Sequence, residues 1–522
     1  MTNRLVERTD DERVNTLLAG AKWGSEAPGT ATEISYSFPS GQAYWNYTRE
    51  VSAGWYGLSA DQKQVFTQVL QSWADIATIT FTEVEDAKTY GDMRVAYSYA
   101  VGDDSSAYAY LPGGGLVDSE GIITPDDENG DVWLHPSTTD FSTNSDGMHT
   151  LRHEVGHALG LKHSFEAEGD FPALDSEKDN TGYTVMSYTD SDAAGYTFTM
   201  VGASSYYAQA VMPSTPMLYD ILAIQHLYGA NTETRADDTV YTFSNRAELK
   251  TIWDGGGTDT FDLSDQETGV RLDLAAGSFS DIGQRQMKYE GPLIAASNNI
   301  AIAFGTEIEN AIGTAHDDVL LGNALDNTLT GGAGDDHLNG GEGEDSVVFS
   351  GNSADYQFRK VENNLIVSNE AGTDGTDTLT SIEQFVFADQ TLALADLQVI
   401  GGTPVASVPT RKSEVNFTPD EADTAYFLLE INAPTTYAVS VEYSTRDGSA
   451  KAGEDYVETS GVVTLQPGQT FFAIAVELID DKEPEGNEFF ELVVNNPVSG
   501  SLANDAVELS AQRIILDNDS LL

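Results

Sequence analysis

Glycine and aspartate return every nine residues between positions 313 and 348, and few folds accept that pattern. Blocks 313–321, 322–330, 331–339 and 340–348 align end to end. The clearest, Gly331-Gly332-Ala333-Gly334-Asp335-Asp336-His337-Leu338-Asn339, fits G-G-x-G-x-D-x-U-x throughout. The sixth position is Asp318, Asn327, Asp336 and Asp345; the eighth is Leu320, Leu329, Leu338 and Val347. Isolated variants lie at Gly255, Gly257, Asp259 and Phe261, and at Gly372, Gly375, Asp377 and Leu379. The glycine half of each block makes a tight turn, and the apolar residue sits on a short strand pointing inward. Stacked turns bring carboxylates from neighbouring blocks together. Such oxygens repel unless a cation lies between them, and calcium accepts flexible oxygen cages. The predicted ligands are Asp254, Gly256, Asp259, Gly313, Asp318, Gly322, Asn327, Gly331, Ala333, Asp336, Gly340, Glu342 and Asp345. A flexible Gly/Asp linker gives no reason for an apolar residue at every eighth position.

A second constraint lies upstream. Residues 153–163 read H-E-V-G-H-A-L-G-L-K-H and hold three of the chain's eight histidines. On a helix, His153 and His157 lie one turn apart on one face, so both imidazoles point at one ion. Glu154 stands beside them, placed to take a proton from water. Gly160 accepts the left-handed backbone that ends a helix and turns the chain. That turn brings His163 back as a third ligand. Three neutral imidazoles with a fourth position open suit one catalytic zinc ion. A helix end with satisfied histidines would not explain where Glu154 and Gly160 fall.

The chain has 522 residues, 84 of them acidic and 25 basic, for a net charge of −59. A surface so acidic repels nucleic acid and anionic membranes and favours divalent cations. Cysteine is absent, which excludes disulfides and any thiolate metal ligand. No apolar run reaches the ~18 residues of a membrane span, and 1–13 lack the apolar middle of a secretory signal.

Texture divides the rest. Up to about 240 the chain reads as mixed α/β. Ser59 and Gln62 form a capping box ahead of Val65, Phe66, Val69, Leu70 and Trp73 at helical spacing. Strands are predicted at 78–84, 93–97, 107–111 and 130–134, a helix from about Gly147, and a closing helix at 217–227. After 405 the runs alternate: Val439, Val441, Tyr443; Phe472, Ile474, Val476, Leu478; Phe490, Leu492, Val494. This predicts an all-β sandwich.

The zinc sequence, followed by Tyr183-Thr184-Val185-Met186-Ser187-Tyr188, resembles the metzincin clan and within it the serralysin family of bacterial proteases. Trp23-Gly24, 107–112, 130–134 and Asp220-Ile221-Leu222-Ala223-Ile224-Gln225 extend the resemblance. Serralysins usually have proline after the third histidine; Ser164 stands there, as in the matrixins. The end of the chain resembles a Calx-β module through Asp447-Gly448, Gly453-Glu454-Asp455-Tyr456, Ile479-Asp480-Asp481, Glu485-Gly486-Asn487-Glu488 and Leu516-Asp517-Asn518-Asp519, an extension beyond ordinary serralysins.

The resemblance implies a multidomain chain. Residues 1–15 are a propeptide or N-terminal lead, and 16–240 an α/β metzincin protease domain. Residues 241–400 are a parallel β-roll of calcium-binding nonapeptides, and 405–522 a Greek-key sandwich. It implies a Met-turn at Met186 and a fifth zinc ligand at Tyr188, with Glu154 and Tyr188 catalytic. Substrate is expected to pair along Ala107, Tyr108, Ala109 and Tyr110, and further calcium at Glu421, Asp455, Asp480, Asp481, Asp517 and Asp519. The expected activity is zinc-dependent endopeptidase, stabilised by several calcium ions and acting on proteins and peptides. The expected protein is a monomer, secreted by type I export without an N-terminal signal. The alternative is a calcium-dependent adhesive or matrix-binding protein with a vestigial zinc site.

Overall fold

The computed structural model describes residues 1–41, 45, 49–87, 90–142, 145–201, 205–361, 364–369, 372–394, 397, 399–401, 406–407, 424–431, 438–466, 469–479, 488–498, 502 and 507–515. These divide into two compact units, Met1–Thr330 and Gly331–Leu522.

In the first unit, Ser59 caps the helix Ala60–Ala74, and its side chain and that of Gln62 close a capping box. The periodic residues Phe66, Val69, Leu70 and Trp73 are all buried on its inner face. Each such side chain contributes roughly 1.5–3 kcal/mol on leaving water. The sheet beside it runs in the order Ile79–Glu83, Thr32–Ser37, Met93–Ser98, Val132–Leu134, Ala107–Ala109, with Trp55–Tyr56 also on Met93–Ser98. The first four strands are parallel; Ala107–Ala109 is antiparallel and closes one edge. Met93–Ser98 is buried along its whole length, as a central strand covered on both faces must be. The strand predicted over 107–111 stops at Ala109, two residues short of Leu111.

A second, antiparallel sheet went unread in the sequence: Ala21–Trp23, Asn3–Leu5, Ile122–Pro125, Gly115–Val117. Asn3 is fully buried and donates from Nδ2 to the Pro112 carbonyl (2.7 Å). Val6, Val14, Leu17 and Leu18 enter the main core with Trp23, Trp73, Leu151, Val155, Met186 and Leu227. The helix Asp146–Leu159 begins on Ser145, whose hydroxyl accepts from Met148 N, and ends at Gly160 with φ +107°. The closing helix is Leu218–Tyr228. Beyond it, Val240–Thr242, Thr260–Asp262, Asn310–Ile312 and Thr328–Thr330 stack as parallel strands, with Leu320 and Leu329 buried as their place in the repeat demands.

In the second unit, His337–Asn339 lies parallel to Gly375–Thr380, and Ser346–Val348 to Gln384–Val386. Leu338 and Val347 are buried against this ladder. The later strands pair antiparallel, in the orders Ser460–Leu465, Val439–Asp447, Glu488–Val498, Glu508–Ile515 and Ala406–Ser407, Thr424–Ile431, Phe471–Glu477. Val441, Ile474, Val476, Phe490, Leu492 and Val494 share one core with Phe427 and Tyr456. Phe472, predicted inward, is 40% exposed at the start of its strand.

Candidate metal centre

His153, Glu154 and His157 share the helix Asp146–Leu159, and Gly160 reverses the chain so that His163 returns to them. One nitrogen from each imidazole lies within 4.8 Å of the others. Their outer nitrogens are anchored. His153 Nδ1 donates to the Val185 carbonyl (2.7 Å) and His157 Nδ1 to that of Leu161 (2.8 Å). His163 Nδ1 lies 3.1 Å from the Glu166 carboxylate. A carbonyl only accepts, so the Nδ1 of His153 and of His157 carries the proton and their Nε2 atoms keep a lone pair. Burial presses the His153 pKa down to about 3 and that of His157 well below its usual value, so both rings stay neutral.

These facts test the fit of a metal. His157 Nε2 and His163 Nε2 stand 3.1 Å apart. Tetrahedral zinc holds its nitrogens about 3.3 Å apart, so the spacing suits it. Glu154 is 5% exposed, its Oε2 is buried without a hydrogen-bond partner, and burial alone lifts its pKa to about 8. The donor set therefore fits zinc with a proton acceptor at its side.

Met186 is wholly buried, and a Cβ on Gly156, in the helix that carries His153 and His157, would come within 2.7 Å of its Sδ. Tyr188 is 69% exposed, with its hydroxyl 2.7 Å from His163 Nε2. Ser164, in place of proline, donates its N–H to the Met186 carbonyl (3.3 Å) and its hydroxyl to Asp179 (2.6 Å). Proline would lack that donor.

Ala107–Ala109 ends its sheet among the described residues, with Ala107 buried and Ala109 half-buried. The Tyr108 and Tyr110 hydroxyls turn away and donate to Glu50. Three neighbours were given no role in the sequence reading. Phe165 stacks on His163 (4.9 Å, 10°) and lies 5.0 Å from Tyr188. His149, one turn before His153, was legible from its spacing; its ring is 6.3 Å from that of His153. Asp220 heads the motif 220–225 quoted for the resemblance, but no role was read for it there. It accepts from Thr184 Oγ1 (2.6 Å), Val185 N (2.8 Å) and Met217 N (2.8 Å) and so fixes the turn at Met186.

The acidic repeats divide by environment. Asp318 and Asn327 accept from the backbone N–H four residues earlier, those of Thr314 and Asn323, and brace their own turns. Asp254 accepts from the Tyr241 hydroxyl and from Gly256 N (2.8 Å). Asp259 is held above the usual range, to about 6, by burial and by Asp254 and Glu309, and its Oδ2 is buried without a partner. Gly313 donates to the Thr330 carbonyl (2.7 Å), and Gly322 is half-buried. Within the second unit, a Cβ on Gly331 or Gly340 would stand 2.2 Å from Asp336 Oδ2 or Asp345 Oδ2. Ala333 is half-buried and Glu342 exposed. Asp455 accepts from Lys451 N (2.6 Å). Glu421, Asp480, Asp481, Asp517 and Asp519 lie outside the described residues.

Comparison with known proteins adds the relatives. Residues 50–184 match the Matrixin family, 149–255 the Met-zincin family, 223–400 the Peptidase M10 serralysin C-terminal family and 411–519 the Calx-beta domain. Metalloprotease AprA of Pseudomonas entomophila is 35% identical over 60% of this chain and 64% of its own length. Serralysin B of Dickeya chrysanthemi is 33% identical over 57% of this chain and 60% of its own. The chain thus spans under two thirds of both relatives. An apo-form Calx CBD1 domain is 33% identical over 18% of this chain and 83% of its own, with a TM-score of 0.17. By these matches the chain carries a metzincin region, a serralysin C-terminal region and a Calx-beta region in that order, and over the first two it is similar to the serralysins.

Proposed function

We propose that this chain is a secreted zinc-dependent endopeptidase that hydrolyses peptide bonds in proteins. One observation carries the reading. Three imidazoles, two with tautomers fixed by backbone carbonyls, bring one nitrogen each to a common point, near a carboxylate oxygen that is buried without a hydrogen-bond partner among the described residues. When bound, zinc supplies Lewis acidity, making water acidic enough to lose a proton near neutral pH and polarising a carbonyl.

The chain's own residues do the rest. The edge strand Ala107–Ala109 offers backbone donors and acceptors to an extended peptide, which adds as a strand. Because the Tyr108 and Tyr110 side chains are engaged with Glu50, this contact is made by backbone and tolerates varied sequences. Glu154, whose basicity burial raises, accepts in its ionised form the proton from water and passes it to the leaving amine. Tyr188 releases His163 and donates its hydroxyl to the developing oxyanion. Met186 gives the site an apolar floor.

The parallel ladders around the nonapeptides support a β-roll over 241–400, and the antiparallel strands after 405 a Greek-key sandwich. Calcium is proposed in both, carried by the clustered carboxylates. Type I export and a monomeric state follow from the likeness to serralysins. No helix among the described residues is long and apolar enough to cross a membrane.

Glu154→Gln tests the reading. It keeps the shape and removes the base, so casein hydrolysis should fall about 10²–10⁴-fold while zinc content stays at that of the unmutated chain. A variant with unimpaired turnover removes Glu154 from its role.

A further inference from the structure

We infer that Lys162 is a built-in cation that sets the third imidazole: its ammonium gathers backbone carbonyls from separate segments and shapes the turn that carries His163. The inference rests on the proposed zinc site.

Lys162 is 2% exposed. Its Nζ lies 2.6 Å from the Thr16 carbonyl, 2.5 Å from that of Glu166, 3.0 Å from that of Pro172 and 3.3 Å from that of His163. An ammonium has three protons, so the fourth oxygen shares one. Converging carbonyl dipoles repel, and buried acceptors left without donors are costly. A positive charge at their focus removes both objections, as a bound metal ion would.

The same residue is tied through its backbone. Lys162 N donates to the Leu17 carbonyl (2.8 Å), Ala19 N to that of Gly160 (2.9 Å), and Leu18 and Leu161 form an antiparallel bridge. Residues 16–19 are therefore a template against which 160–162 lie, and the lysine stem passes from that bridge under the following turn. Glu166 completes the connection. Its carbonyl is taken by Lys162, while its carboxylate stands 3.1 Å from His163 Nδ1. Fixing the Glu166 backbone fixes the group that orients the ring. Lys162 is a positioning residue: it reaches the metal only through Glu166 and the His163 backbone.

The test uses the full chain. Zinc affinity is measured by competition with a chromophoric chelator for the unmutated chain, Lys162→Met and Lys162→Ala. Melting temperatures are read with and without zinc. Loss of a group that orients a ligand weakens metal binding about 10–100-fold, and the zinc-dependent rise in melting temperature should shrink accordingly. Millimolar n-propylammonium should restore zinc affinity to Lys162→Ala, whereas tetramethylammonium, equally charged but without N–H donors, should not. If Lys162→Met fails to fold, the ammonium rescue of Lys162→Ala decides alone. Unchanged zinc affinity overturns the inference, as does a melting temperature that falls equally with and without zinc, or an Ala variant that no alkylammonium restores. An unmutated chain that takes up no zinc sinks the zinc site itself, and this inference with it.

Discussion

Gly160 shows how one residue decides whether the histidines meet. Its φ of +107° lies where side chains are strained, and a Cβ there would stand 2.4 Å from the Ala21 carbonyl. Ala19 N also donates to the Gly160 carbonyl, so the backbone cannot simply shift away. Gly160→Ala should cost about 2 kcal/mol or more in stability and lower zinc content after dialysis. Urea denaturation and metal analysis check both, and an alanine variant of normal stability would show that the turn relaxes freely. At this scale the site was largely legible. Its three imidazoles, carboxylate and glycine fall within residues 153–163, where helical spacing and the turn at the glycine bring them together. The surrounding shell was not legible, because Phe165, Lys162 and Glu166 act through contacts that no periodicity announces.

Elements matter through what their ends hold. The closing helix Leu218–Tyr228 carries in its first turn a buried aspartate, Asp220, that grips the Met186 turn through the Thr184 hydroxyl and the Val185 amide. The other end of the Val185 residue, its carbonyl, accepts from His153 Nδ1. Helix, turn and imidazole thus form one relay. Asp220→Asn would face an amide NH2 or a single oxygen to three donors. It should cost about 2–4 kcal/mol and speed zinc loss to a chelator. Lost stability with unaltered zinc release would break the relay. Reading the elements themselves depended on length. The helix Ala60–Ala74 carried its capping box and four inward residues, so its place was plain. The strands Asn3–Leu5 and Gly115–Val117, each three residues long, carry too little alternation to read. They pair only because the chain brings 122–125 between them.

For the molecule as a whole, the excess of acid sets the conditions under which it is stable. In the second unit, burial and then Asp336, Asp374 and Asp335 raise the Asp377 pKa to about 8. In the first, burial raises Asp259 and Asp318 to about 6. Each folded value exceeds the ordinary one of 3.8, so the folded chain binds protons that the unfolded chain releases. Without calcium, the stability from these groups is full below about pH 4 and is lost as pH rises through about 6 and then 8. Calcium bound at these carboxylates, as proposed, would take the protons' place and bind best where they are ionised, so its stabilisation should grow over the same range. Melting curves from pH 5 to 9 should therefore separate: falling steadily in chelator, holding level in millimolar calcium, with the widest gap at the alkaline end. The net charge of −59 adds a repulsion that calcium also relieves. High sodium chloride should close the part of the gap due to general repulsion and leave the part due to direct ligation. A gap of constant width across pH, or one abolished by salt alone, would mean that the buried aspartates do not hold the ion.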